Sequence, residues 1–165
     1  MMRQTGKQTL TIALGLGVLL ALGANTARAA GPAFVVDTLT GVALGGMDPV
    51  SYFTDPQPLP GLPDFEYDWA GVPWYFANAA DRDEFIRAPE VYAPQFGGHS
   101  TTSLAQGYLS DGDPRIYVVV ADRLYLFYSE GTRDAFEQAP AATIDAARAR
   151  WTALHPVIEA SAAPP

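Results

Sequence analysis

Three side chains in this sequence of 165 residues could hold a soft or borderline metal ion: Met47, Asp48 and His99. The chain has two histidines, three methionines and no cysteine, so such a site would have to combine a thioether, a carboxylate and an imidazole. That donor set suits copper better than zinc, because structural zinc is held almost always by four Cys or His ligands. The plainer account is a loop methionine in packing and a histidine that caps or hydrogen-bonds. His155 precedes Pro156 at what the pattern makes a helix end, where positive charge complements the dipole, so it reads as a cap.

Catalysis has weaker material. Ser51, Ser100, Ser103 and Ser129 lack the Gly-x-Ser-x-Gly setting of a strained nucleophile, and two scattered histidines supply no triad. N-caps and turns explain these serines better. Asp81, Asp83 and Glu84 fall in the first turn of an expected helix, where the dipole favours acids. "GGMDPV" and "GGHSTT" lack the Lys-Ser/Thr ending of a phosphate loop. A non-enzyme is the expectation, with no cofactor. The aromatic cluster Trp69, Trp74, Tyr75 and Phe76 is the better binding candidate. Strand alternation sends Trp74 and Phe76 to one face and Tyr75 to the other, so a groove using Trp69, Trp74 and Phe76 could take a small ligand or peptide.

Residues 1–29 read as a signal peptide. Arg3 and Lys7 precede an apolar run from Leu10 to Ala24, and Ala27-Arg28-Ala29 offers small residues where a signal peptidase cuts. The run is shorter than the roughly 20 residues a membrane span needs, so the expected destination is the periplasm or the exterior, with no membrane insertion after cleavage. Cleavage removes three cations and no acid, taking the formal charge from −8 to −11. Such a chain repels phosphate backbones and anionic lipid, which excludes nucleic acid as a partner. The expected partner is an unidentified small ligand or protein. No disulfide can form, but a domain of this size buries close to two-thirds of its unfolded surface and needs none.

An internal repeat organises the rest. "FANAADRDEFIRAP" at 76–89 and "FYSEGTRDAFEQAP" at 127–140 agree at six of fourteen positions. Upstream, at the same offset of 51, Phe65, Tyr67 and Trp69 match Ile116, Val118 and Val120, each a period-two set on one face of a strand. Hairpin reversals are expected at Gly71-Val72 and Asp122-Arg123. Helices over 79–88 and 130–138 should follow, capped by Asn78 and Ser129 and ended by Pro89 and Pro140. At an offset of 52, "GGMDPVSYF" at 45–53 pairs with "GGHSTTSLA" at 97–105, predicting short helices capped by Asp48 and Ser100. Ile144, Ala147, Trp151 and Leu154 recur at helical spacing and predict a closing amphipathic helix. The expected organisation is an N-terminal segment at 30–44, a first unit at 45–96, a second with its closing helix at 97–154, and a tail at 155–165.

These residues resemble the YHS domain family, small cysteine-bearing, treble-clef-like metal modules. The resemblance rests on "DPVSYF" at 48–53, "YFANAADRDEFIRAPEVY" at 75–92, "YAPQFGGH" at 92–99 and "LFYSEGTRDAFEQAP" at 126–140, and it spans residues 41–154. It implies an α+β fold of two pseudo-repeated helix-hairpin-helix units packed as one domain with a C-terminal helix. The family's cysteine positions would fall on Ser51, Ala77 and Asp81, then on Ser103, Tyr128 and Thr132, none of them a thiolate. The implied protein is an exported, non-catalytic binding or interaction module stabilised by buried rings instead of a metal. The alternative is an envelope metal-handling protein of copper type using Met47, Asp48 and His99.

Overall fold

The computed structural model describes residues 34–161; the leader proposed at 1–29 lies outside them. The chain is α+β, with two separate two-stranded antiparallel sheets. After a 3-10 turn at Leu44–Gly46 come α1 (Ser51–Thr54), β1 (Leu62–Trp69), β2 (Val72–Phe76), α2 (Ala79–Arg87) and α3 (Pro89–Tyr92). A second 3-10 turn at Gln95–Gly98 leads into α4 (Thr101–Gln106), β3 (Asp113–Val120), β4 (Arg123–Phe127), α5 (Glu130–Gln138) and α6 (Pro140–Ser161). No described helix is long and apolar enough to cross a membrane.

Local chemistry explains most of these boundaries. Asn78 accepts a hydrogen bond from the Asp81 N–H at 3.0 Å and starts α2. Ser129 and Thr132 exchange side-chain and backbone bonds in a reciprocal capping box that starts α5. The reversals lie one residue earlier than the sequence suggests, at Ala70-Gly71 and Ala121-Asp122. All four residues have φ between 49° and 79°, the left-handed pair that matches a tight hairpin to strand twist. Both sheets carry a register irregularity, between Leu62 and Glu66 and between Asp113 and Tyr117.

The expected pair of helix-hairpin-helix, treble-clef-like units is not what the chain builds. The opening helices are reduced to four residues in α1 and six in α4. Asp48 does accept from the N–H groups at the start of α1, from two residues before the flanking Val50, whereas Ser100 makes no side-chain cap on α4. The helices α2 and α5 do end just before Pro89 and Pro140, but each proline also begins a further helix, α3 or α6, because a first-turn proline has no N–H that the helix would use. Most decisively, the second hairpin serves both halves. Leu124 and Leu126 of β4, with Tyr117 and Val119 of β3, pack into the core formed by Trp74, Phe76, Phe85 and Val50. The opposite face, Tyr125, Phe127, Ile116 and Val118, packs with Phe96, Leu104, Phe136 and Ala147. A hairpin covered on both sides is a shared wall, so the two cores are not those of self-contained units.

The first hairpin keeps a solvent side, since Glu66 and Asp68 are exposed while Phe65, Tyr67 and Trp69 are half-buried. The spacing Ile144, Ala147, Trp151 and Leu154 is the stripe that α6 lays on the second core. The helix does not stop at His155 but continues through Pro156 to Ser161. His155 therefore sits inside the helix, its ring tilted against Trp151 with ring centres 4.7 Å apart, instead of capping an end.

Two glycines are required by close approach. A Cβ on Gly61 would lie 2.5 Å from the carbonyl carbon and Cβ of Tyr75, and one on Gly112 would meet the Leu126 Cβ and lie 2.7 Å from the Gly98 oxygen. These neighbours are backbone or the roots of side chains and cannot swing away. Gly112→Ala is expected to cost about 1–3 kcal/mol in urea unfolding, the usual range for overpacking; a loss under about 0.5 kcal/mol would show that the strand pair tolerates spreading.

Candidate functional site

Asp48 is fully buried. Its Oδ1 accepts from the Val50 N–H at 2.8 Å and the Ser51 N–H at 3.4 Å, and its Oδ2 from the Ala77 N–H at 2.8 Å. One carboxyl thus ties the start of α1 to the end of β2. Burial pushes its pKa up to about 6, opposed by the Ala77 and Val50 N–H bonds and reinforced by the adjacent Asp81 carboxyl. Ser51 Oγ donates to the Asp48 carbonyl at 2.7 Å and accepts from the Leu59 N–H at 2.8 Å. Ser51, Ala77 and Asp81, where the family resemblance would put thiolates, therefore gather round a carboxyl whose oxygens are already engaged.

In the second half, hydroxyls occupy the corresponding positions. Ser103 Oγ donates to Ser100 Oγ at 3.0 Å, Thr132 belongs to the capping box, and Tyr128 is exposed.

The side chains of the metal alternative each have other neighbours. Met47 pairs with Pro60 in an isolated bridge and packs against the first core. His99 lies against Trp151, ring centres 5.8 Å apart, with its Nδ1 3.5 Å from Asp111 Oδ1. That nitrogen has no hydrogen-bond partner, so the Asp111 oxygen approaches it without the alignment of a bond. Burial lowers the His99 pKa, with Asp111 acting in the opposite direction. No group of three or more His, Cys, Asp or Glu residues placed to hold a metal ion occurs among the described residues. The four serines are likewise in caps, turns or hydroxyl pairs, none bonded to a histidine.

The aromatic residues are arranged differently from the groove read in the sequence. Trp74 and Phe76 have no exposed surface. Trp74 packs edge-on to Phe34 at 5.1 Å and donates its indole N–H to the Trp69 carbonyl at 3.1 Å. Two recesses adjoin at Phe34 and Pro94. The first, about 180 Å³, is walled by Leu44, Trp74 and Leu126, with Asp37 and Asp111 among its lining residues. The second, about 210 Å³, is lined by Trp69, Phe96, Trp151, His155 and Glu90 as well as the shared pair. All three tryptophans of the chain thus border this one region.

Sequence reasoning found Trp69 and Trp74 here but missed Phe34 and Trp151. Trp151 announced itself only as part of a helical stripe, and Phe34 lies outside the repeat. Phe96 was equally hidden: it holds φ at 55° in the second 3-10 turn, a conformation uncommon for a bulky residue. Comparison with family models, with curated proteins and with solved structures finds no match.

Proposed function

We propose that this chain is an exported, non-catalytic binding protein whose ligand surface is the pair of recesses meeting at Phe34 and Pro94. What supports the reading is the convergence on that region of Trp69 from the first hairpin and Trp151 from α6, with the enclosed Trp74 as backing behind them. Ligand sites are concave, mostly apolar and marked by a few polar groups, and Asp37, Asp111 and Glu90 are those groups here. The YHS resemblance enters as the proposed ancestry of a scaffold that holds its chain together through Asp48 instead of a metal. Export follows from the character of residues 1–29, and the strongly acidic remainder argues against nucleic-acid partners.

The rival reading, metal handling through Met47, Asp48 and His99, makes a different demand. Equimolar copper or zinc is expected to leave the melting temperature of the chain from residue 30 onward within about one degree. A rise of several degrees that disappears in both Met47→Ala and His99→Ala would replace the binding reading with the metal one.

A further inference from the structure

The second recess joins three kinds of group. Trp69 and Phe34 stand against each other with ring centres 5.3 Å apart. Trp151 stands with Phe96 at 6.2 Å and with His155 at 4.7 Å. Glu90, exposed at the C-terminal side of Pro89, is the carboxylate among the lining residues. No Lys or Arg lines the recess. Arg123, which reaches this neighbourhood, gives its Nη1 to the backbone oxygen of Glu90 at 3.2 Å, leaving the carboxylate without an ion pair among the described residues.

Rings of this kind present negative π faces. Indole is the strongest of them toward cations, and recesses built from several aromatic side chains suit quaternary ammonium groups, which are large, weakly hydrated and unable to donate hydrogen bonds. The formal charge of −8 raises the local concentration of cations over that of anions.

We propose that the recess bordered by Phe34, Trp69, Glu90, Phe96 and Trp151 binds a small quaternary ammonium group. This rests on the binding reading above and assigns its ligand class. The rings contact the methyl groups, and the Glu90 carboxylate supplies long-range attraction without needing a hydrogen bond. Phe96 is anchored between Tyr125, 6.1 Å away, and Trp151, so one wall is set by the second core before any ligand arrives. The other wall, Trp69, is fixed by Trp74 at 5.8 Å and Phe85 at 5.6 Å. Preorganised walls reduce the ordering cost of binding.

The test titrates the protein with choline chloride and, separately, with 3,3-dimethyl-1-butanol, the uncharged analogue in which carbon replaces nitrogen, following tryptophan emission. Choline is expected to change the emission saturably and to bind at least about tenfold tighter than the neutral analogue, since only the cation is attracted by the ring faces. Glu90→Gln, an exposed position that leaves the fold alone, is expected to weaken choline about threefold or more while leaving the neutral analogue unchanged. Trp151→Phe is expected to weaken choline further, with melting temperature checked alongside.

Equal binding of the two compounds would overturn the ligand class while leaving a binding protein with an apolar pocket. No saturable response to either would overturn the site, whereas failure of the binding reading itself would appear in the metal titration. Co-sedimentation with phosphatidylcholine vesicles distinguishes a lipid headgroup from a free amine as the source of the cation.

Discussion

Asp48→Ala is expected to lower the unfolding free energy by about 3–5 kcal/mol at pH 5. The substitution strands the Val50 and Ala77 N–H groups, each bonded at 2.8 Å, and the more distant Ser51 N–H, beside a position with no exposure. Each buried donor left without a partner costs about 1–3 kcal/mol. The loss should depend on pH in a definite direction. Because the folded pKa is raised from 3.8 to about 6, the folded state holds the proton more tightly than the unfolded one. The stabilisation from this group is complete below about pH 4 and is lost as pH rises through 6. The shift corresponds to roughly 3 kcal/mol. Wild-type stability measured relative to Asp48→Ala should therefore fall between pH 4 and pH 7. Comparing with the variant removes the contribution of Asp113, whose pKa its hydrogen bond with Arg115 lowers and which acts in the opposite direction. Urea unfolding of both proteins at four pH values decides it, and a difference that is flat or rises with pH would show that the carboxyl is ionised throughout.

Trp74→Ala is the second substitution with a large expected effect, about 3–5 kcal/mol, the range for deleting a large buried aromatic. The indole is wholly enclosed and lies within 6 Å, centre to centre, of Phe34, Trp69 and Phe85. Its removal also frees the Trp69 carbonyl that the indole N–H reaches at 3.1 Å. Trp74→Phe retains ring packing but not that bond and should cost less than half as much. A shift below about 1 kcal/mol in Trp74→Ala would mean that Phe34 and Phe85 collapse into the space, and that the ring cluster is not the main support of the first core.

The parts of the fold legible in the sequence were those governed by local chemistry. Asn78 and Ser129 sit before helices because short polar side chains can satisfy orphan N–H groups, and both do so. Phe65, Tyr67 and Trp69 alternate with Glu66 and Asp68, which marks a strand wet on one side. What escaped was written less locally. "RIYVVV" and "RLYLF" lack that polar alternation, and a strand apolar at successive positions is one covered on both faces. Matching Ile116, Val118 and Val120 to the first hairpin captured one face and overlooked Tyr117 and Val119 on the other. Pro89 and Pro140 marked the ends of α2 and α5 correctly but hid the starts of α3 and α6, because proline is compatible with both the end of one helix and the start of the next.

The candidate site was legible only in part for a related reason. Trp69 and Trp74 stood out by residue type, but alternation could not say which face would be sealed, and Trp74 lies on the sealed one. Trp151 reaches the same region from α6, across a sequence separation that no repeat encodes. Asp48 was noticed as a cap and as a metal donor, yet its bond to the Ala77 N–H, 29 residues away, depends on the path of the whole first half.

The hairpin of β3 and β4 bears on how the two halves could diverge. A substitution at Leu124 or Leu126 alters the lining of the first core, while one at Tyr125 or Phe127 alters the second, and all four share one short strand. Neither half can drift freely, since accommodating a change on one side means bending a backbone that the other side also grips. Sequence variation tolerated by the first hairpin, with its wet outer face, should be several times greater than that tolerated by the second.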